Sequence, residues 1–95
     1  MGSPIPEHAR PKLARKVRLR FDRHSGAHWL LYPERGMQLS ASAARIAGLC
    51  TGAKTLEEIV DELHAGVAGA SRGQIAQDVQ QFLGALRDRS LIEPL

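Results

Sequence analysis

A chain of 95 residues and 10.4 kDa, 43% apolar and 24% charged, amounts to one small domain with a single modest core, too small for a deep enclosed pocket. The one cysteine, Cys50, excludes an intrachain disulfide scaffold and fits a reducing compartment, the cytoplasm. The net charge of +3 is uneven: residues 1–35 hold eight Lys/Arg against three Asp/Glu, and residues 36–95 hold five against seven. No apolar run approaches the roughly 18 residues of a membrane span, and the proline-rich start has no apolar signal core.

Residues 1–11, with Pro4, Pro6 and Pro11 among polar neighbours, read as a flexible arm ahead of a single domain over residues 12–95. Residues 16–22 alternate. Val17, Leu19 and Phe21 point to a core, while Lys16, Arg18, Arg20 and Asp22 form a wet face that accounts for much of the basic charge. A turn over residues 23–27 leads to a second strand, His28–Tyr32. Pro33-Glu34-Arg35-Gly36 turns again, and residues 36–39 make a third short strand.

The rest is helical. Ser40 caps a helix over residues 41–50 that Gly52 ends. Thr55-Leu56-Glu57-Glu58 is a capping box ahead of the stripe Leu56, Ile59, Val60 and Leu63. Ser71-Arg72-Gly73-Gln74 is a second candidate box, ahead of the stripe Ile75, Val79, Phe82, Leu83 and Leu86, which ends near Arg89. Three antiparallel strands followed by three helices make an α+β domain of winged helix-turn-helix type.

Catalytic chemistry is missing from this pattern. Cys50 sits on an apolar helical stripe and reads as a small buried hydrophobe. His24 and His28 flank a glycine turn, which argues against a metal pair, so no metal and no cofactor are expected. Glu57, Glu58, Asp61 and Glu62 cover the solvent face of one helix. A nucleic-acid-binding winged helix stays open as an alternative, but the last helix carries Asp78 and no mid-helix cation, and the acidic helix before it repels phosphate. Peptide binding fits better. The edge Met37-Gln38-Leu39 can accept an added strand, beside the last helix with its Ile75, Val79 and Phe82 stripe.

Val17-Arg18-Leu19-Arg20-Phe21-Asp22 leads to Trp29-Leu30-Leu31-Tyr32-Pro33-Glu34-Arg35-Gly36. Leu39, Ser42-Ala43, Ile46, Leu49-Cys50 and Gly52 follow, then Ile59, Leu63, Asp78-Val79, Phe82-Leu83, Leu86, and Arg89 to Ile92. This run, over about residues 11–93, resembles the PqqD family, peptide chaperones of pyrroloquinoline quinone (PQQ) biosynthesis. It departs from the family habit at Ser40, Thr51 and Ser90, where Asn, Asp and Gly are common; Thr51 and Ser90 keep open a leader-binding module of another peptide pathway.

The resemblance implies a non-catalytic protein that binds the precursor peptide PqqA and presents it to the radical S-adenosylmethionine enzyme PqqE, which itself carries the iron-sulfur clusters. It implies strand addition beside the third strand and against the third helix, with Gly36, Met37, Gln38 and Leu39 expected as the edge and Ile75, Asp78, Val79 and Phe82 as the facing helix. Arg18 and Arg20 are then expected to steer an acidic precursor or to contact the enzyme. Exchange of an edge strand or the arm between chains is the expected route to a homodimer. Neither a nucleic acid nor a membrane is an expected partner.

Overall fold

The computed structural model describes residues 4–95. The part of the expected arm at residues 1–3 lies outside the described residues. The elements run β1 (Arg18–Phe21), β2 (His28–Tyr32), β3 (Arg35–Leu39), α1 (Ala41–Gly48), α2 (Leu56–Ala65) and α3 (Arg72–Asp88). The strands form one antiparallel sheet in the order β1-β2-β3. This is the expected three-stranded sheet followed by three helices.

Local chemistry explains the turns. Between β1 and β2 the Asp22 carboxylate accepts from the Ser25 hydroxyl at 2.8 Å and the His24 N–H at 3.0 Å, which holds its pKa below the usual carboxylate value. Between β2 and β3 the connection is only Pro33-Glu34, since Tyr32 already pairs with Arg35. The left-handed position of this turn falls on Glu34 (φ 67°), not on Gly36, which lies inside β3 opposite Leu31. The third strand therefore starts at Arg35, one residue before the expected turn ends.

The β1 reading needs correction. Val17 is buried, but Leu19 and Phe21 are 39% and 52% exposed. β1 is an edge strand, and the helical layer beneath it covers its inward row only in part. Leu19 lies beside α1, where a Cβ on Gly48 would come within 3.7 Å of it, and the Phe21 ring lies 4.8 Å from the His28 ring between centroids. Period-2 alternation set the faces correctly and overstated the burial.

All three helix caps form. Ser40 accepts from the Ala43 N–H and Ser71 from the Gln74 N–H, both at 3.1 Å. Thr55 and Glu58 complete the capping box, with Glu58 N–H donating to Thr55 Oγ1 at 3.1 Å and Thr55 N–H to Glu58 Oε1 at 2.8 Å. The second expected box is half built. Gln74 turns down the helix and donates to Asp78 at 3.1 Å, a charge-assisted partner in place of the cap. α1 ends at Gly48, earlier than expected, and Gly52 (φ 84°) instead shapes the link to α2, its N–H donating to the Pro11 carbonyl.

Two expectations follow for the α2 cap. Thr55→Ala should cost about 1 kcal/mol in urea denaturation. The Thr55 N–H bond chiefly holds the Glu58 carboxyl below its ordinary 4.5, so its stabilising share is full above that value and lost as pH falls through the lowered folded one. Glu58→Gln should flatten that acid loss when denaturation curves are compared from neutral to acid pH.

The expected free arm is docked over Ile5–Pro11. Ile5 is 2% exposed, and its backbone makes reciprocal bonds with one side chain: its N–H donates to Gln80 Oε1 at 2.8 Å and Gln80 Nε2 donates to its carbonyl at 2.7 Å. The carbonyls of Ala9 and Glu7 accept from the N–H groups of Leu56 and Glu57 at 2.8 and 3.1 Å. Those are first-turn donors of α2 that have no partner inside the helix. The strap therefore completes the α2 cap. Lys12 and Leu13 next bridge to Thr51 and Ile92, which fixes the buried tail residues Leu91 and Ile92 beside the core of Leu30, Ile59, Val79, Leu83 and Leu86.

Candidate functional site

A two-residue hairpin loop makes Tyr32 and Arg35 a hydrogen-bonded pair, and antiparallel pairs alternate from there. Arg35, Met37 and Leu39 thus bond to β2. The N–H and C=O groups of Gly36 and Gln38 point the other way, off the sheet, and β3 is an edge with no strand beside it among the described residues. The same parity leaves the outward groups of Leu19 and Phe21 free on the β1 edge.

Met37 on β3 and Phe82 on α3 are partly buried at the margin of the core, and Leu39 is buried. Ile75 and Val79 are buried with Asp78 exposed between them, so α3 presents an apolar wall with one carboxylate. Next to the start of α1 opens a hollow of about 170 Å³. Ile46, Leu63, Ile75 and Val79 form its apolar wall, while Ser42, Arg45, Gln74 and Asp78 supply its polar lining. Arg45 extends over the C-terminal end of α2, where a Cβ on Gly66 would come within 2.9 Å of its guanidinium. The hollow is apolar inside with one cation and one anion in its lining, a form suited to a single aliphatic or aromatic side chain.

The structure thus gathers Ile75, Asp78 and Val79 in one hollow. Gly36, Met37, Gln38 and Leu39 lie along the β3 edge, and Phe82 lies about a turn beyond Asp78; none of these lines it. Sequence reasoning missed the contribution of α1 and α2 through Arg45, Ile46 and Leu63, and that of Val67 in the link after α2. Ile46 and Leu63 carry only a core signal in the sequence, because a pocket floor and a core share the same periodicity. Arg18 and Arg20 pair across to Leu31 and Trp29, on the sheet face turned away from the helices and two strands from the β3 edge.

Cys50, Asp61 and Glu62 have structural partners. The buried Cys50 thiol donates to the Ile46 carbonyl at 3.3 Å, and burial pushes its pKa up to about 12, far from a nucleophilic thiolate. Asp61 pairs with Arg72 at 2.7 Å and Glu62 with Lys54 at 3.5 Å. Among the described residues no three His, Cys, Asp or Glu gather as a metal site, and no helix is long and apolar enough to cross a membrane.

With this geometry in view, residues 27–92 match the family model of coenzyme PQQ synthesis protein D (PqqD). The chain belongs to the PqqD family. Among the relatives of this PqqD-family chain, the PqqA binding protein of Pseudomonas syringae pv. syringae (strain B728a) is 32% identical, over 87% of this chain and 86% of its own. The PqqA binding protein of Rhodopseudomonas palustris (strain BisB5) is 35% identical, over 93% and 85%. That of Rahnella aquatilis is 36% identical, over 82% and 80%.

Two solved structures share the PqqD fold. One is the PqqD truncation of Methylobacterium extorquens PqqCD, a stand-alone recognition element for ribosomally synthesized and post-translationally modified peptides. Its TM-score is 0.75 at 33% identity, covering 88% of each chain. The other is TbiB1 in complex with the TbiA(beta) leader peptide. Its TM-score is 0.74 at 28% identity, covering 88% of this chain and 96% of that one.

Proposed function

We propose that this protein is a non-catalytic peptide chaperone of PQQ biosynthesis. It takes the precursor PqqA as a fourth strand on β3 and presents it to the radical S-adenosylmethionine enzyme PqqE in the cytoplasm. The observation that carries this reading is the unpaired β3 edge at Gly36 and Gln38; a hollow sized for one side chain opens at the start of α1, the helix that follows β3. Relatives that are PqqA binding proteins, and a structural neighbour solved with a leader peptide, support it.

Strand addition supplies backbone bonds that any sequence can make; selection among peptides comes from Met37, Phe82 and the hollow walled by Ile75 and Val79. Asp78 and Arg45, in that hollow's lining, favour a polar residue on either side of the anchor. Arg18 and Arg20 lie on the far face of the sheet, so their role is contact with a partner rather than steering at the groove. A homodimer would form through an exposed edge, β1 or β3, or by exchange of the strap.

Calorimetric titration with PqqA tests the reading. Saturable binding near micromolar, about −8 kcal/mol, is expected, tight enough for capture and loose enough for transfer. No heat and no mobility shift at tens of micromolar order would sink it.

A further inference from the structure

The link from α2 to α3 carries only small side chains after Ala65: Gly66, Val67, Ala68, Gly69 and Ala70. Val67 and Ala70 line the hollow at the start of α1. Its other apolar lining, Ile46, Leu63, Ile75 and Val79, is buried in the core, whereas Val67 is 39% exposed. An apolar side chain left in water at the rim of an apolar hollow is buried further by whatever fills that hollow, and the burial favours the filled state.

The link is also held lightly. The N–H groups of Gly66 and Val67 donate to the carbonyls of Leu63 and His64 at 3.2 and 3.3 Å and close the last turn of α2. Ala68, Gly69 and Ala70 make no hydrogen bond among the described residues. Gly69 (φ 85°) bends the chain in open space, with no atom within 4 Å of where a Cβ would stand. Gly66 has φ −94°, which any residue adopts; its use is room, since a Cβ would press on the Arg45 guanidinium at 2.9 Å. A segment with few buried contacts and no backbone bonds belongs to the low-stability end of a fold.

We propose that residues 66–70 form a closing lip on the peptide site. Val67 packs against the apolar side chain of the bound peptide that fills the hollow, and the link becomes ordered as it does so. The identity of this occupant rests on the chaperone reading above. Continuity along the chain supports it. Ser42, in the hollow's lining, is three residues past Leu39, the end of β3, so the lining begins within about 11 Å of the edge that takes the added strand. A lip without hydrogen bonds adjusts to its guest at the cost of its own ordering. The site thus accepts aliphatic and aromatic anchors alike, where a fixed hollow of about 170 Å³ admits one size. The same ordering cost keeps affinity below what the contact area alone would give, which suits a peptide that is handed on.

NMR of the isotope-labelled full chain, free and with PqqA, reads the closure. Backbone order parameters at residues 67–70 should lie near or below about 0.6 in the free chain and rise toward about 0.85 when PqqA binds. The Val67 methyl groups should show Overhauser contacts with a PqqA side chain. In calorimetry Val67→Ala should weaken PqqA binding about three- to tenfold. Its thermal midpoint should stay within about three degrees of the wild type, because Val67 is exposed. Ala68→Ser, in the link but outside the hollow's lining, should bind within about twofold of the wild type. Order parameters at residues 67–70 that PqqA leaves unchanged overturn the lip. Missing Val67 contacts, full affinity in Val67→Ala, or an equal loss in Ala68→Ser also overturns it. Failure of the wild-type chain to bind PqqA strikes the chaperone reading instead.

Discussion

Gln38→Pro is expected to remove peptide capture while leaving the domain folded. The hairpin parity turns the Gln38 N–H off the sheet, so a proline there breaks no bond to β2. Proline is tolerated on edge strands in this orientation, and the preceding residue, Met37, is already extended as proline requires. The incoming strand loses a donor, and the ring occupies the space its carbonyl needs. PqqA affinity should fall at least tenfold, about 1.4 kcal/mol, in calorimetry. Thermal unfolding should move by only a few degrees.

Met37→Pro is the matched control. Its N–H bonds into the β2 ladder opposite Leu30, so the same ring one residue earlier leaves a strand acceptor unsatisfied and should cost about 2 kcal/mol. The two prolines therefore separate binding from stability at adjacent positions. Full PqqA affinity in Gln38→Pro would mean that the β3 edge is not where the peptide adds.

What was legible in the sequence follows from how local its causes are. The capping box at Thr55 needs only residues 55–58, and β2 needs only its own alternation and Pro33. Of the candidate site, the β3 edge and the α3 stripe are legible because an edge and an amphipathic helix are each local patterns, while the hollow takes only Ile75, Asp78 and Val79 of the expected residues. Its deeper wall was not legible: Ile46 and Leu63 become pocket walls only once three helices meet. Gly36 looked like a turn glycine, because proline three residues earlier is a turn signal. Its actual use, bare backbone beneath Trp29 and Leu31, depends on a neighbouring strand. The strap was misread for a similar reason. A proline-rich segment has no periodicity to betray docking, and its partner Gln80 looks like any solvent-facing glutamine.

The strap also sets the largest stability expectation, because a docked segment and a free arm predict opposite results. Ile5→Ala should destabilise the fold by about 2–4 kcal/mol, as for a buried aliphatic side chain. A free arm would leave stability within about 0.5 kcal/mol. Domains of this kind have only about 5–15 kcal/mol in total, so the loss should be plain in urea denaturation as a lower midpoint with an unchanged slope. Pro4 and His8 are exposed, and their alanine variants should lie near zero.

Gln80→Leu removes both partners of the Ile5 backbone and should cost about 1–3 kcal/mol. Since Ile5 and Gln80 act as one unit, the double variant should cost less than the sum of the singles. Peptide affinity should not follow stability in these variants. Ala76 and Gln80 line the strap side of α3, while Asp78, two residues on from Ala76, lies about 200° around the helix and lines the hollow. A strap variant that lost PqqA binding at a temperature where it remains folded would show that the two flanks of α3 are coupled.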